Sequence, residues 1–201
     1  MIRLRTIARV KAAVVGLALS AGLCALCTGA AQAAIVVMGG MGQPCFEAAR
    51  AADIKHAVPP DAIDLCSRAL GTPLDRHDLA GTYVNRGVLY MINRDLASAM
   101  ADFDQAVQIS PGLAEAHVNL GASLVGMRQD KLGVSEITKG LDLGSAQPEK
   151  AYYNRAVGEE HLDDVAGAYQ DYMKAAELKP DWTAPKQELT RFQVQPAPAR
   201  N

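Results

Sequence analysis

Three asparagines, Asn85, Asn119 and Asn154, recur at intervals of 34 and 35 residues. Each amide offers both a hydrogen-bond donor and an acceptor. A column of them has the chemistry to pair with the N–H and C=O groups of an extended peptide, whatever side chains that peptide carries. No other reactive residues form a comparable pattern. The four histidines, His56, His77, His117 and His161, lie far apart without metal-ligand spacing. Neither a glycine-rich phosphate loop nor a nucleophile elbow is present. The acid pairs Glu159-Glu160 and Asp163-Asp164 read as a solvated helix end and a cap. These residues argue against an enzyme, and no cofactor or metal is expected.

Each asparagine is the third residue of a recurring block. The blocks are Tyr83-Val84-Asn85-Arg86-Gly87, His117-Val118-Asn119-Leu120-Gly121 and Tyr152-Tyr153-Asn154-Arg155-Ala156. Every block opens an apolar-periodic helical stretch, and a second helical stretch follows. A repeat of this length means stacked helix pairs, and stacked pairs form a groove that binds other chains. The expected fold is all-α: a right-handed helical-repeat solenoid of antiparallel helix pairs, with about eight or nine helices and no sheet.

In the first repeat, 80–113, Tyr83, Gly87 and Tyr90 share one face of the first helix. Asp95 caps the second helix, Ala99, Phe103 and Ala106 line it, and Ser110-Pro111 ends it. The third repeat, 149–182, fills these slots with Tyr152, Ala156, Ala168, Tyr172, Ala175 and Pro180, while Glu159 stands where Tyr90 does. The second repeat, 114–148, is degenerate. Gly133 and Gly140 weaken its second helix, at about 1 kcal/mol for each interior glycine, and predict the softest part of the stack.

The order aromatic, small, aromatic, then Ala, Phe or Tyr, Ala and Pro resembles the tetratricopeptide repeat family, here in an exported, bacterial-type setting. The resemblance covers about half of the chain. It implies that the asparagine column lines the concave face, with Val84, Val88, Val118, Tyr153 and Val157 beside it and Lys150 pointing inward. These residues form the expected peptide-binding set, exposed on the groove. Two alternatives stand against it: the asparagines are solvated consensus residues, and some of the apolar residues pack under a neighbouring helix. The family's carboxylate-gripping set also needs Lys or Asn at Val84 and Val88 and Arg at Asn154, so a chaperone-tail clamp is disfavoured. Arg86 with Asp102, and Arg155 with Asp171, read as ion pairs within a repeat, contributing on the order of 0.2–1 kcal/mol if exposed.

Flanking segments complete the stack. Residues 183–193 read as a capping helix, with Leu189 in the slot of Leu120, and 194–201 as a disordered tail. Residues 43–79 read as an irregular helix pair with a shortened first helix, in which Ala62, Cys66 and Ala69 match Ala99, Phe103 and Ala106. In an antiparallel pair Cys66 faces back toward Cys45, which predicts a disulfide. The competing reading makes Cys66 a buried filler and Cys45 a free thiol.

The N-terminus reads as a signal peptide over 1–33. Arg3, Arg5, Arg9 and Lys11 precede an apolar run over 12–31, and Ala31-Gln32-Ala33 is a small-x-small cleavage site. Leu23 and Leu26 before Cys24 and Cys27 argue against a lipoprotein. The alternative is an uncleaved membrane anchor, because Ile35-Val36-Val37-Met38 prolongs the run. Residues 34–42 are expected to be flexible. After cleavage the chain carries 22 acids against 16 bases (20 less the four in the leader), a net charge near −6. Without a basic block, nucleic-acid binding is disfavoured.

The reading is a periplasmic or secreted, non-enzymatic adaptor that holds an extended segment of a partner protein. The alternatives are a structural subunit or homo-oligomer of an envelope complex, and an accessory domain of an envelope enzyme. The leader, if uncleaved, would supply the membrane link.

Overall fold

The computed structural model describes residues 3–6 and 32–195. The leader's apolar run lies outside the described residues. Among those described, no helix is long and apolar enough to cross a membrane.

Among the described residues, nine α-helices stack as a helical-repeat solenoid: α1 (Gln43–Lys55), α2 (Ala62–Leu70), α3 (Arg76–Ile92), α4 (Leu96–Ile109), α5 (Ala114–Gly126), α6 (Asp130–Asp142), α7 (Pro148–His161), α8 (Val165–Leu178) and α9 (Thr183–Leu189). The asparagine blocks lie on α3, α5 and α7, each paired with the helix that follows it. Aspartates start the second helices of the outer repeats. Asp95 accepts from Ser98 N at 3.1 Å and Asp164 from Gly167 N at 3.0 Å, which satisfies a free N–H of the first turn. The turns inside the three repeats share one backbone device, a left-handed residue at Arg94, Arg128 and Asp163, with φ of 63°, 65° and 62°.

The core runs along the stack as linked apolar clusters, centred on Phe103 in the first repeat, Ile137 in the second and Tyr172 in the third. The ion pairs within repeats form as expected, but their acids are buried. Arg86 donates to Asp102 twice at 2.8 Å, and Arg155 donates to Asp171 at 2.6 and 3.0 Å. Asp102 and Asp171 lie inside the fold, so the exposed-pair magnitude understates these contacts. Fork-to-fork pairs of this kind are strong hydrogen bonds.

The second repeat also departs from expectation. Its glycines sit where α5 and α6 touch. A Cβ on Gly121 would lie 2.6 Å from the carbonyl oxygen of Gly133, and one on Gly133 would lie 2.7 Å from that of Gly121. One on Gly140 would lie 2.8 Å from the carbonyl oxygen of Ala114. The propensity cost of these glycines is offset by helix backbones packed against each other. His117, in the slot of Tyr83, is buried with Nδ1 2.7 Å from Glu136 and Nε2 3.0 Å from the Pro111 carbonyl oxygen.

Three segments at the ends differ from the sequence reading. First, α1 has 13 residues and α2 has nine, so the second helix of the first pair is the short one. Second, a two-stranded antiparallel ribbon joins β1 (Arg3–Thr6) to β2 (Phe192–Gln195), where no sheet was expected. Its first strand falls in the leader, and its second takes the end of the expected capping helix and the start of the expected disordered tail. Phe192 is buried against Tyr169 and Tyr172, with ring centroids 5.6 and 6.0 Å apart, which anchors β2 to the last repeat. Third, residues 32–38 are packed rather than flexible.

The expected disulfide is present: Cys45 and Cys66 are bonded, with Cα atoms 4.6 Å apart. It ties α1 to α2 within a small cluster of alanines and Leu89.

Candidate peptide groove

Residues 32–38 run along the concave face as an extended strap across α7, α5 and α3. The three asparagines hold its main chain. Asn154 accepts from Gln32 N at 2.9 Å and donates to Gln32 O at 2.7 Å. Asn119 accepts from Ala34 N at 2.7 Å and donates to Ala34 O at 2.6 Å. Asn85 accepts from Val36 N and donates to Val36 O, both at 2.9 Å. Each amide thus acts as a residue of a neighbouring strand, exchanging both hydrogen bonds with its partner. Successive amides engage every second strap residue because alternate residues of a strand face the same edge.

The opposite edge of the strap is held as well. Lys150 Nζ donates to the Ala33 carbonyl at 2.5 Å, and Gln147 Nε2 donates to that of Ile35 at 3.1 Å. All five carbonyls from residue 32 to 36 therefore accept a side-chain hydrogen bond. Lys150 also meets Asp53 at 2.9 Å. Asp53 is on α1 and Lys150 on α7, so this ion pair links the first and last helix pairs across the groove.

Most of the strap's side chains are buried, Ala33 among them, and Ile35 is half-buried. Ala34, Val36 and Met38 are buried, whereas Val37 is 73% exposed. Ala34 belongs to the apolar cluster of Val118, Ala151 and Ile137, with Val157 partly buried against it. Val36 and Met38 join that of Val84 and Val88. Gly81 makes room for them: a Cβ there would lie 2.7 Å from Met38 Sδ and 2.9 Å from Val36 Cγ1.

The structure brings together Asn85, Asn119, Asn154, Val84, Val88, Val118, Lys150 and Val157. Tyr153 packs into the aromatic cluster at the C-terminal end. There its ring centroid is 5.5 Å from that of Tyr172 and 5.0 Å from that of Trp182. Burial pushes its phenol pKa up to about 12. The asparagines are not solvent-facing: their exposure is 0, 0 and 2%, because the strap covers them.

Gln147, Asp53, Gly81 and the strap itself escaped the sequence reading. Gly81 and Lys150 each lie four residues before an asparagine, on the same helix face, so the helical period already placed them at the groove. Nothing comparable pointed to Asp53.

Of the four histidines, His117 and His161 have structural partners. His161 Nδ1 lies 2.7 Å from Asp130. Among the described residues, no three of His, Cys, Asp and Glu gather where a metal ion would be held.

Residues 80–113 match the tetratricopeptide repeat family. No curated protein matches the chain. Solved structures share its fold. MamA (residues 41 to the end) from Desulfovibrio magneticus RS-1 has a TM-score of 0.57 at 18% identity, covering 76% of this chain and 84% of that one. YrrB, described as a TPR protein with an unusual peptide-binding site, has a TM-score of 0.53 at 18% identity, covering 73% of each chain. The first TPR of Spaghetti (RPAP3), bound to the HSP90 peptide SRMEEVD, has a TM-score of 0.51 at 19% identity, covering 55% of this chain and 87% of that one. The fold is that of a tetratricopeptide-repeat solenoid, with one repeat also matched by sequence.

Proposed function

We propose that this protein is a non-enzymatic adaptor of the cell envelope that holds an extended segment of a partner protein in its concave groove, gripping the segment by its main chain. One observation carries the reading: three asparagine amides at repeat spacing each exchange two hydrogen bonds with one residue of an extended strap. Main-chain recognition gives affinity, and the pockets for alternate side chains give selectivity. Two structural relatives, YrrB and RPAP3, are described with a peptide-binding site or a bound peptide, which supports the same use of this fold. Export rests on the basic, then apolar, N-terminal run and its small-x-small site.

The test is site-specific photo-crosslinking in cells. A photoreactive residue at Val157, beside the groove, should give a protein adduct, whereas one at Leu132, an exposed side chain on α6, should not. Adducts confined to Leu132 would overturn the reading.

A further inference from the structure

We propose that residues 32–38 are a built-in competitor for the groove, and that the partner which displaces them is an uncharged strand of matching pattern. That pattern is a small residue facing Asn119, a β-branched residue facing Asn85 and an unbranched apolar residue two positions beyond. This deepens the adaptor reading and rests on it.

Three observations carry the proposal. The strap is held as a bound peptide is held. Among the described residues, no backbone-to-backbone hydrogen bond ties residues 33–38 to a helix, and the main chain is gripped by side chains alone. The pattern then follows from the pockets. Ala34 is fully buried beside Val118 and Ala151, which leaves space for a methyl group. Val36 and Met38 fill the space over Gly81, while Val37 points to solvent and sets no requirement. The groove's charges, Lys150 and Asp53, neutralise each other, so the floor under residues 34–38 asks for no charge. Finally, the strap is tethered by Gly39 and Gly40, and a Cβ on either would meet nothing within 4 Å. Glycine leaves the backbone free to swing, so the strap can leave the groove by pivoting ahead of α1, giving up the contact of Ile35 with the cluster between α1 and α2.

A tethered competitor acts at an effective concentration of about millimolar for a short flexible linker. A free peptide therefore sees only the fraction of molecules with an open groove, and its apparent affinity falls by that fraction. The groove stays closed to weak strands and opens to a partner that is abundant, tethered or better matched.

The test uses the full chain and a labelled peptide with the sequence of residues 32–38. Ala34→Arg places a charge in the methyl-sized pocket and expels the strap. This variant should bind the peptide about tenfold or more tightly than wild type. Adding Asn85→Ala, Asn119→Ala and Asn154→Ala should abolish binding, and Val37→Arg should behave as wild type. A measurement on wild type alone guards against misfolding of the variant: excess peptide should speed hydrogen exchange at the amides of Ala34 and Val36. Equal binding by wild type and Ala34→Arg, or unchanged exchange with peptide bound, overturns the competitor and leaves the adaptor reading standing. No binding by a helical Ala34→Arg protein, together with unchanged wild-type exchange, overturns both.

Discussion

Asn119 and Ala34 exchange two hydrogen bonds, of 2.7 and 2.6 Å, across 85 residues of sequence. Both residues are completely buried, so each amide group depends on the other for its partner. Asn119→Ala leaves the N–H and C=O of Ala34 without partners inside the protein. The expected cost is about 1–3 kcal/mol. A thermal melt reads the loss, and hydrogen exchange at the Ala34 amide localises it. A groove open to solvent would instead make the substitution neutral for stability.

Gly121→Ala should destabilise by about 1–3 kcal/mol through overpacking. The added methyl meets the carbonyl oxygen of Gly133 at 2.6 Å and the backbone N of Ile137 at 2.8 Å, and neither is a flexible side-chain end. Gly126→Ala is the control, because Gly126 is the last residue of α5 and a Cβ there would meet only Leu96 Cδ1, at 3.8 Å. Chemical denaturation of both variants separates close approach from helix propensity, which by itself would make the first substitution stabilising.

Glu159 makes stability depend on pH. Burial first, and then the Asp171 carboxylate, raise its pKa from 4.5 to about 7, and one of its carboxylate oxygens is buried without a hydrogen-bond partner. Between these two pH values the folded chain holds a proton that the unfolded chain has lost. The stability is fully present below pH 4.5 and erodes as the pH rises to about 7. Glu159→Gln removes the erosion. Its melting temperature should exceed that of wild type above the upper value and converge with it in acid. A constant difference across the range would contradict this.

Reducing the Cys45–Cys66 disulfide, whose sequence separation is 21, should lower stability by roughly 3 kcal/mol in the chain-entropy model. The loss should begin in α1 and α2 and release the Asp53 end of the ion pair to Lys150. Melting with and without reductant gives the magnitude. Thiol counting on denatured, unreduced protein lacking residues 1–33, which retains only Cys45 and Cys66, gives the bond itself, and two free thiols would refute it.

The solenoid was legible because its signal is periodic: 34 residues return the same aromatic, small and asparagine positions to the same faces, and tertiary contacts only reinforce that. The asparagine column was legible for the same reason. The strap was not. Ile35-Val36-Val37-Met38 is a β-branched and apolar run, and this composition suits a membrane segment as well as a strand pressed into a groove. Which of the two it becomes depends on partners as far as 112 residues away, and no local rule reaches that distance. The asparagines' exposure was misjudged because burial here is conferred by the strap and not by their own helices.

The bond between Ala33 and Ala34 lies inside the groove, its carbonyl held by Lys150 and its N–H by Asn119. A peptidase must take such a bond as a free strand, and here both edges are already taken. For a leader that ends at Ala33, maturation is therefore a race between two clocks. A chain processed before its repeats close begins at Ala34, with the Asn154 end of the ladder left vacant. A chain that closes first shields the junction and keeps its N-terminal run for its lifetime. Pulse-labelled cells should show two products whose ratio tracks folding rate, so that Asn119→Ala, by slowing closure of the strap, shifts the balance toward the shorter one.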